Sequence, residues 1–180
     1  MRVPDYERAL VLYRQALKFD RRNPDALARV GRAAFELGEY QLAERYLKSA
    51  LAERPDDRQS GQLLATCRAV RKLDPYNFWS STERDRTVLS DFDTAGSRLN
   101  SCIGSSPSVE ASNPALQSLY NQWTDMKTKL NKNSLRVHPD WSDSAMDLVF
   151  SIERETNSLC GRPTGDDLLL LLIAKRRGGS

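Results

Sequence analysis

The residues that could perform chemistry in this chain are few and scattered. His138 is the only histidine; it precedes a proline, and no motif links it to an acid or a nucleophile. One histidine and three dispersed cysteines fit no zinc-ligand spacing. The run from Gly161 to Gly165 lacks the lysine and the spacing of a phosphate-binding loop. The sequence therefore predicts no enzyme activity, no metal and no cofactor.

Two pairs of neighbouring carboxylates, at 56–57 and 166–167, are the remaining candidates for acid–base work. Both pairs stand where a helix is predicted to begin, and carboxylates at that place cap backbone N–H groups and face the positive end of the helix dipole. Capping explains both pairs without catalysis.

The last predicted helix carries an uninterrupted apolar run from Leu168 to Ala174. A membrane span needs about 20 such residues, so this run predicts no transmembrane segment. We expect the helix to be buried in a C-terminal bundle, or failing that to form a homodimer with a second copy of the chain.

The three cysteines fall into two groups. Cys67 lies among apolar residues and is predicted to be a small buried side chain. Cys102 and Cys160 each end a predicted helix, and two antiparallel helix ends could bring them within disulfide distance. If they are bonded, the protein belongs to an extracytoplasmic compartment such as the bacterial envelope; if they are reduced, it is cytoplasmic. The sequence leaves both alternatives open.

The first third of the chain repeats itself at a spacing of 34 residues. A period of this size indicates helical hairpins that bury their apolar faces by stacking on neighbours. The identical pairs are Tyr6 and Tyr40, Ala9 and Ala43, Ala16 and Ala50, and Leu17 and Leu51.

These residues resemble the tetratricopeptide repeat family over about residues 5–73. The small and large apolar positions of a first helix are followed by Gly38, which ends it, and by Tyr40, which opens a second. One complete repeat runs from about Pro24 to Asp57, with Asn23 as its predicted N-cap, and half repeats flank it. The inner positions are Leu27, Val30, Gly31, Ala34, Ala43, Leu47 and Ala50. The predicted fold class is all-α: a hairpin stack followed by a small helical bundle.

The repeat pattern ends at Asp74, and we expect two domains. Residues 1–73 form the repeats, and residues 74–180 form a bundle of four helices that packs on or caps them. The third of these helices is predicted to start after Pro139, with Ser142 or Asp143 as its cap. The chain opens on the second helix of a hairpin, so we expect either a fragment of a longer repeat protein or another chain over that face.

The charge distribution argues against nucleic-acid binding. Residues 1–73 carry 15 Lys and Arg against 10 Asp and Glu, whereas the rest of the chain is slightly acidic and the net charge is +3. The arginines alternate with acids instead of clustering beside stacking aromatic residues.

The resemblance implies a protein–protein interaction module in which first helices line a concave groove for a partner peptide. Arginines near an aromatic side chain there suit acidic and apolar peptide side chains. The alternatives are a structural or self-association domain of a larger bacterial envelope protein, and a non-catalytic fragment of an enzyme. The predicted groove residues are Ala28, Arg29, Arg32, Phe35, Glu36, Gln59, Gln62, Leu63 and Thr66.

Overall fold

The computed structural model describes residues 5–104 and 113–178. Across these two ranges the chain forms nine α-helices and one short 3-10 helix, with no strand, which confirms the all-α prediction. The chain folds as two compact units, the first ending at Arg71 and the second beginning at Lys72.

Four helices follow the repeat pattern. They are α1 (Tyr6–Phe19), α2 (Pro24–Glu36), α3 (Tyr40–Glu53) and α4 (Arg58–Leu73). The predicted start of the complete repeat is confirmed, because the side chain of Asn23 accepts a hydrogen bond from the backbone N–H of Ala26, and Pro24 opens α2. Gly38 has a φ of 75°, a left-handed conformation that glycine adopts without steric cost, and it turns the chain from α2 into α3.

The hairpin of α2 and α3 forms the core of the first unit. Val30 and Ala34 of α2 and Ala43 and Leu47 of α3 are fully buried. At the crossing, a Cβ added to Gly31 would lie 2.7 Å from Cγ of Leu47, so only glycine permits this helix separation. The stripe of alternating small and large residues that the repeat predicted is therefore the packed seam of the hairpin.

Helix α1 packs against α2 but buries none of its own residues. Ala50 of α3 is buried, whereas its counterpart Ala16, 34 residues earlier, is exposed. Helix α1 is the second helix of a hairpin. Among the described residues, no first helix of that hairpin covers the face of α1 that corresponds to the buried face of α3.

The second unit contains five α-helices after a 3-10 turn at Pro75–Asn77. They are α5 (Ser81–Gly104), α6 (Pro114–Lys129), α7 (Lys132–Val137), α8 (Asp140–Leu159) and α9 (Gly165–Gly178). The sequence predicted four and left the short α7 unclassified. The predicted loop at 104–112 lies outside the described residues, except for Gly104, which ends α5.

The predicted cap of the third bundle helix was wrong. Helix α8 begins at Asp140, with Pro139 in the cap position, and Ser142 is buried within its first turn. Asp143 accepts a hydrogen bond of 2.8 Å from the hydroxyl of Tyr76, which is far away in the sequence. A long-range contact therefore uses the side chain that local spacing had assigned to capping.

Helix α8 is the central element of the second unit, and α5, α6, α7 and α9 all contact it. The apolar run of α9 is buried or half-buried, and α9 packs on α8 and α5. No helix of the described residues is both long enough and apolar enough to cross a bilayer.

Candidate protein-interaction groove

A surface cavity of about 530 Å³ lies between α2 and the start of α4, within the first unit. Small-molecule pockets in proteins have volumes of this order, so the cavity is large enough to hold several side chains of a peptide. We call it the α2–α4 groove. Its lining residues are Asp25, Ala28, Arg29, Arg32, Arg54, Asp56, Asp57, Arg58, Gln59, Ser60 and Leu63.

The start of α4 positions one wall of the groove. Asp57 accepts hydrogen bonds from the backbone N–H groups of Gln59 and Ser60 and from the hydroxyl of Ser60. The hydroxyl bond from Ser60 and the backbone bond from the same residue hold the pKa of Asp57 below its ordinary value. The carboxylate therefore acts as a helix cap, as predicted for the acidic pair at 56–57.

An ion pair closes one end of the groove. Arg54, which follows α3, donates to Asp25 in the first turn of α2, with 2.8 Å between Nη1 and Oδ1. The hydrogen bond from Arg54 lowers the pKa of Asp25, so this carboxylate stays ionised and neutralised. These two exposed charges therefore neutralise each other at this end of the groove.

Two other arginines of the groove have no such partner. The side chains of Arg32 and Arg58 are exposed and form no ion pair or hydrogen bond with any residue of 5–104 or 113–178. Arg58 is also the first residue of α4, where a cation is disfavoured by the helix dipole. The helix dipole therefore does not favour the charge of Arg58 at this position.

Arg29 is held by α1 instead of projecting freely into the groove. Its guanidinium donates to the hydroxyl of Tyr13 at 3.3 Å and lies 5.6 Å from the centre of that ring. A smaller cavity of about 250 Å³ lies on the α1 side, and Arg29 lines both cavities. The side chain of Arg29 thus lies between the two cavities.

A second set of ion pairs connects α3 to α4. Glu44 of α3 accepts hydrogen bonds from Arg68, at 3.3 Å, and from Arg71. Although partial burial opposes it, these two hydrogen bonds lower the pKa of Glu44. The ion pairs therefore link α4 to the hairpin of α2 and α3.

The α2–α4 groove gathers five of the nine residues that the sequence nominated: Ala28, Arg29, Arg32, Gln59 and Leu63. The other four do not line it. Phe35 packs edge-to-face on Tyr40, with 5.6 Å between ring centres, and Thr66 donates to the carbonyl of Gln62 within α4. Glu36 is exposed near the end of α2.

Sequence reasoning missed Arg54, which directly follows α3, and Arg58, which is the first residue of α4. The available signal is the run of charges around Pro55, for which the sequence indicates only helix capping by Asp56 and Asp57.

The second unit places Cys102 and Cys160 together. Cys102 is buried in the last turn of α5, Cys160 caps α8, and their Cα atoms lie 5.6 Å apart in a disulfide. Cys67 is a free, buried thiol in α4, and burial raises its pKa to about 11. In residues 5–104 and 113–178, no three metal-ligating side chains come together to hold an ion.

Comparison with known families identifies the first unit. The family model of the tetratricopeptide repeat matches residues 5–67. This part of the chain is a tetratricopeptide repeat region. The match begins with α1 and ends in α4, and so includes every residue that lines the α2–α4 groove.

The tetratricopeptide repeat indicates a protein–protein interaction module, and the family is generally non-catalytic. Searches of the curated proteins and of the solved structures found no match to this chain.

Proposed function

We propose that the protein is an adaptor or assembly factor whose α2–α4 groove binds an extended segment of a partner protein with acidic and apolar side chains. The observation that carries the proposal is the pair of guanidinium groups of Arg32 and Arg58, which have no ion-pair or hydrogen-bond partner among the described residues. They lie on a groove that also contains Leu63 and Ala28. Exposed arginines with no intramolecular partner lose little when a carboxylate binds them, and Arg binds carboxylates with two parallel hydrogen bonds.

The expected contribution of each arginine is modest. A hydrogen bond to a charged group contributes roughly 1.5–3 kcal/mol when it is shielded from water, and less at an exposed rim. Loss of one guanidinium should therefore weaken binding by about tenfold. Reversal of its charge should weaken binding further, because repulsion replaces attraction.

A pair of synthetic peptides tests this proposal. One alternates glutamate with leucine, and the other alternates lysine with leucine at the same length. We expect the first to bind and the second not to bind in fluorescence anisotropy at low salt. Arg32→Glu and Arg58→Glu should each lower the affinity for the acidic peptide by at least about tenfold.

Arg14→Glu is the matched control for these variants. Arg14 is exposed on α1 and does not line the groove, so the same change of charge there should leave affinity unchanged. Equal binding of the two peptides, or an equal loss with Arg14→Glu, would refute the groove as the binding site.

The disulfide favours a location outside the cytoplasm for this adaptor. Bonded cysteines are typical of oxidising compartments, and we propose the cell envelope for that reason. Thiol counting in denaturant on freshly isolated protein tests this: one reactive thiol, from Cys67, is expected, and three would contradict the assignment.

The homodimer remains a prediction. Light scattering of the purified chain across a range of concentrations measures it directly. An unchanged monomer mass would exclude self-association.

A further inference from the structure

A second cavity, of about 560 Å³, opens onto the disulfide of the second unit. Both cysteines line it, together with Arg98 and Asp167 and three hydroxyl side chains of α5. The two sulfurs differ in their surroundings: Cys102 is 3% exposed in α5, whereas Cys160 is exposed at the end of α8. A molecule that enters this cavity therefore meets Cys160 as the accessible partner of the bond.

Arg98 of α5 connects the same two segments independently of the disulfide. Its Nε donates to Oγ1 of Thr156 at 2.9 Å, and Nη2 donates to the carbonyl of Gly161 at 2.8 Å. Gly161 is the residue directly after Cys160, so these bonds hold that end of α8 against α5. Nε also lies 3.5 Å from Oε2 of the buried Glu153. None of these contacts involves either sulfur of the disulfide.

We propose that Cys160 is a site of thiol–disulfide exchange with small thiols and their disulfides. In this proposal Arg98 is the positioning residue that keeps the two cysteines adjacent when the bond is open. Because the segments stay together, the dithiol has a high effective concentration and closes again without refolding of the bundle.

The exchange consists of two successive nucleophilic attacks on sulfur. The thiolate of a small thiol attacks Sγ of Cys160, and the electron pair of the broken bond leaves on Sγ of Cys102, which takes a proton from solvent. A second thiolate attacks the small-molecule sulfur of the mixed disulfide and releases Cys160 as a thiolate, which is then protonated. Two small thiols become one disulfide, and the protein gains two electrons and two protons. Formation of the bond by a small disulfide is the reverse sequence.

The distinction between the sulfurs follows from access. The attacking thiolate must approach along the S–S axis from the side of the sulfur that it attacks. Cys102 is 3% exposed whereas Cys160 is exposed, so we expect attack at Cys160. The mixed disulfide should therefore form on Cys160 alone.

Glutathione is the probe for the test. The intact protein is equilibrated under native conditions with graded ratios of reduced and oxidised glutathione and quenched in acid. Its thiols and adducts are then mapped by mass spectrometry. We expect the bond to open while circular dichroism stays unchanged, with the glutathione adduct found on Cys160. A bond that opens only in denaturant, or an adduct on Cys102, would overturn the proposal.

The positioning role of Arg98 has its own measurement. Arg98→Met keeps the aliphatic part of the side chain but removes both hydrogen bonds. We expect the glutathione ratio at the midpoint to shift by about tenfold towards the dithiol, which corresponds to about 30 mV. Arg86→Met makes the same substitution at an exposed position of α5 that does not line the cavity, and it should leave the midpoint unchanged.

A second pair of variants covers the case in which Arg98→Met does not fold. Arg98→Lys retains the charge beside Glu153. Thr156→Val removes the acceptor of the Arg98 Nε bond, together with the hydroxyl's own bond to the carbonyl of Ile152 within α8. Each should shift the midpoint in the same direction by a smaller amount. Equal midpoints for the wild type and all Arg98 and Thr156 variants would show that the arginine does not position the cysteines.

Discussion

Gly96 of α5 is the position at which one added methyl group should do most damage to the second unit. A Cβ there would lie 2.1 Å from Cε2 and 2.3 Å from Nε1 of Trp123, well inside van der Waals contact. The indole has little room to move. It is buried, it stacks on Phe92 with 5.9 Å between ring centres, and its N–H donates to the carbonyl of Phe92 at 3.2 Å.

The magnitude follows from these contacts. Overpacking of a close-packed core costs about 1–3 kcal/mol. Displacement of the indole adds about 1 kcal/mol for its hydrogen bond and a similar amount for the aromatic contact. Replacement of glycine by alanine inside a helix returns about 1 kcal/mol. We therefore expect Gly96→Ala to lower the free energy of unfolding by about 2–4 kcal/mol.

Gly61→Ala is the matched control. Gly61 also lies inside a helix, α4, but beyond the adjacent backbone of that helix a Cβ added to it meets no atom within 4 Å. This variant should gain about 0.5–1 kcal/mol from helix propensity alone. Urea unfolding followed by circular dichroism and tryptophan fluorescence measures both variants, with each unit's transition fitted separately.

A double variant links the loss to the indole. In a Trp123→Leu background the new methyl group has space, so Gly96→Ala should cost much less than it does in the wild type. If Gly96→Ala raises stability as Gly61→Ala does, or costs the same with and without Trp123, the packing argument is wrong.

Three further predictions address charge and packing. Burial raises the pKa of Glu153 to about 8 from an ordinary 4.5, so the folded protein retains a proton that the unfolded chain loses. The free energy of unfolding of the second unit should therefore fall by about 2–5 kcal/mol as the pH rises from the ordinary pKa of 4.5 to about 8. Glu153→Gln should reduce this dependence of the unfolding free energy on pH, as measured by urea titrations at several pH values. Gly31→Ala should destabilise the first unit by about 1–2 kcal/mol, because the added Cβ would overlap the side chain of Leu47. An unchanged urea midpoint for this variant would contradict the close crossing of α2 and α3. Asp74 is buried, forms ion pairs with two arginines of α9 and accepts a hydrogen bond from the backbone N–H of Tyr76. Asp74→Ala should therefore lower the free energy of unfolding by about 2–4 kcal/mol in thermal and urea unfolding. A loss below about 1 kcal/mol would refute this role.

The amino-acid sequence alone determined the helical hairpin of the first unit. Its period, its caps at Asn23 and Gly38, and the small residue at Gly31 opposite Leu47 are signals that act over one or two helical turns or recur at the repeat length. Such short-range rules can be read directly from residue order, because each residue's neighbours on a helix are known from its number.

The tertiary structure alone decided which of the groove arginines remain unengaged. Arg29, Arg32, Arg54 and Arg58 look alike in the sequence, but only the fold brings Tyr13 to the first and Asp25 to the third. The pairing of Cys102 with Cys160 likewise depends on the fold, since two helix ends must first meet in space.

The same reason explains the errors in the second unit. Asp143 has the residue type and position of a helix cap, yet its carboxylate accepts a hydrogen bond from the hydroxyl of Tyr76, which is distant in the sequence. Gly96 carries no sequence signal that it faces an indole 27 residues later. Contacts between residues that are distant in the chain depend on how helices pack, and helix packing depends on the whole set of apolar faces at once.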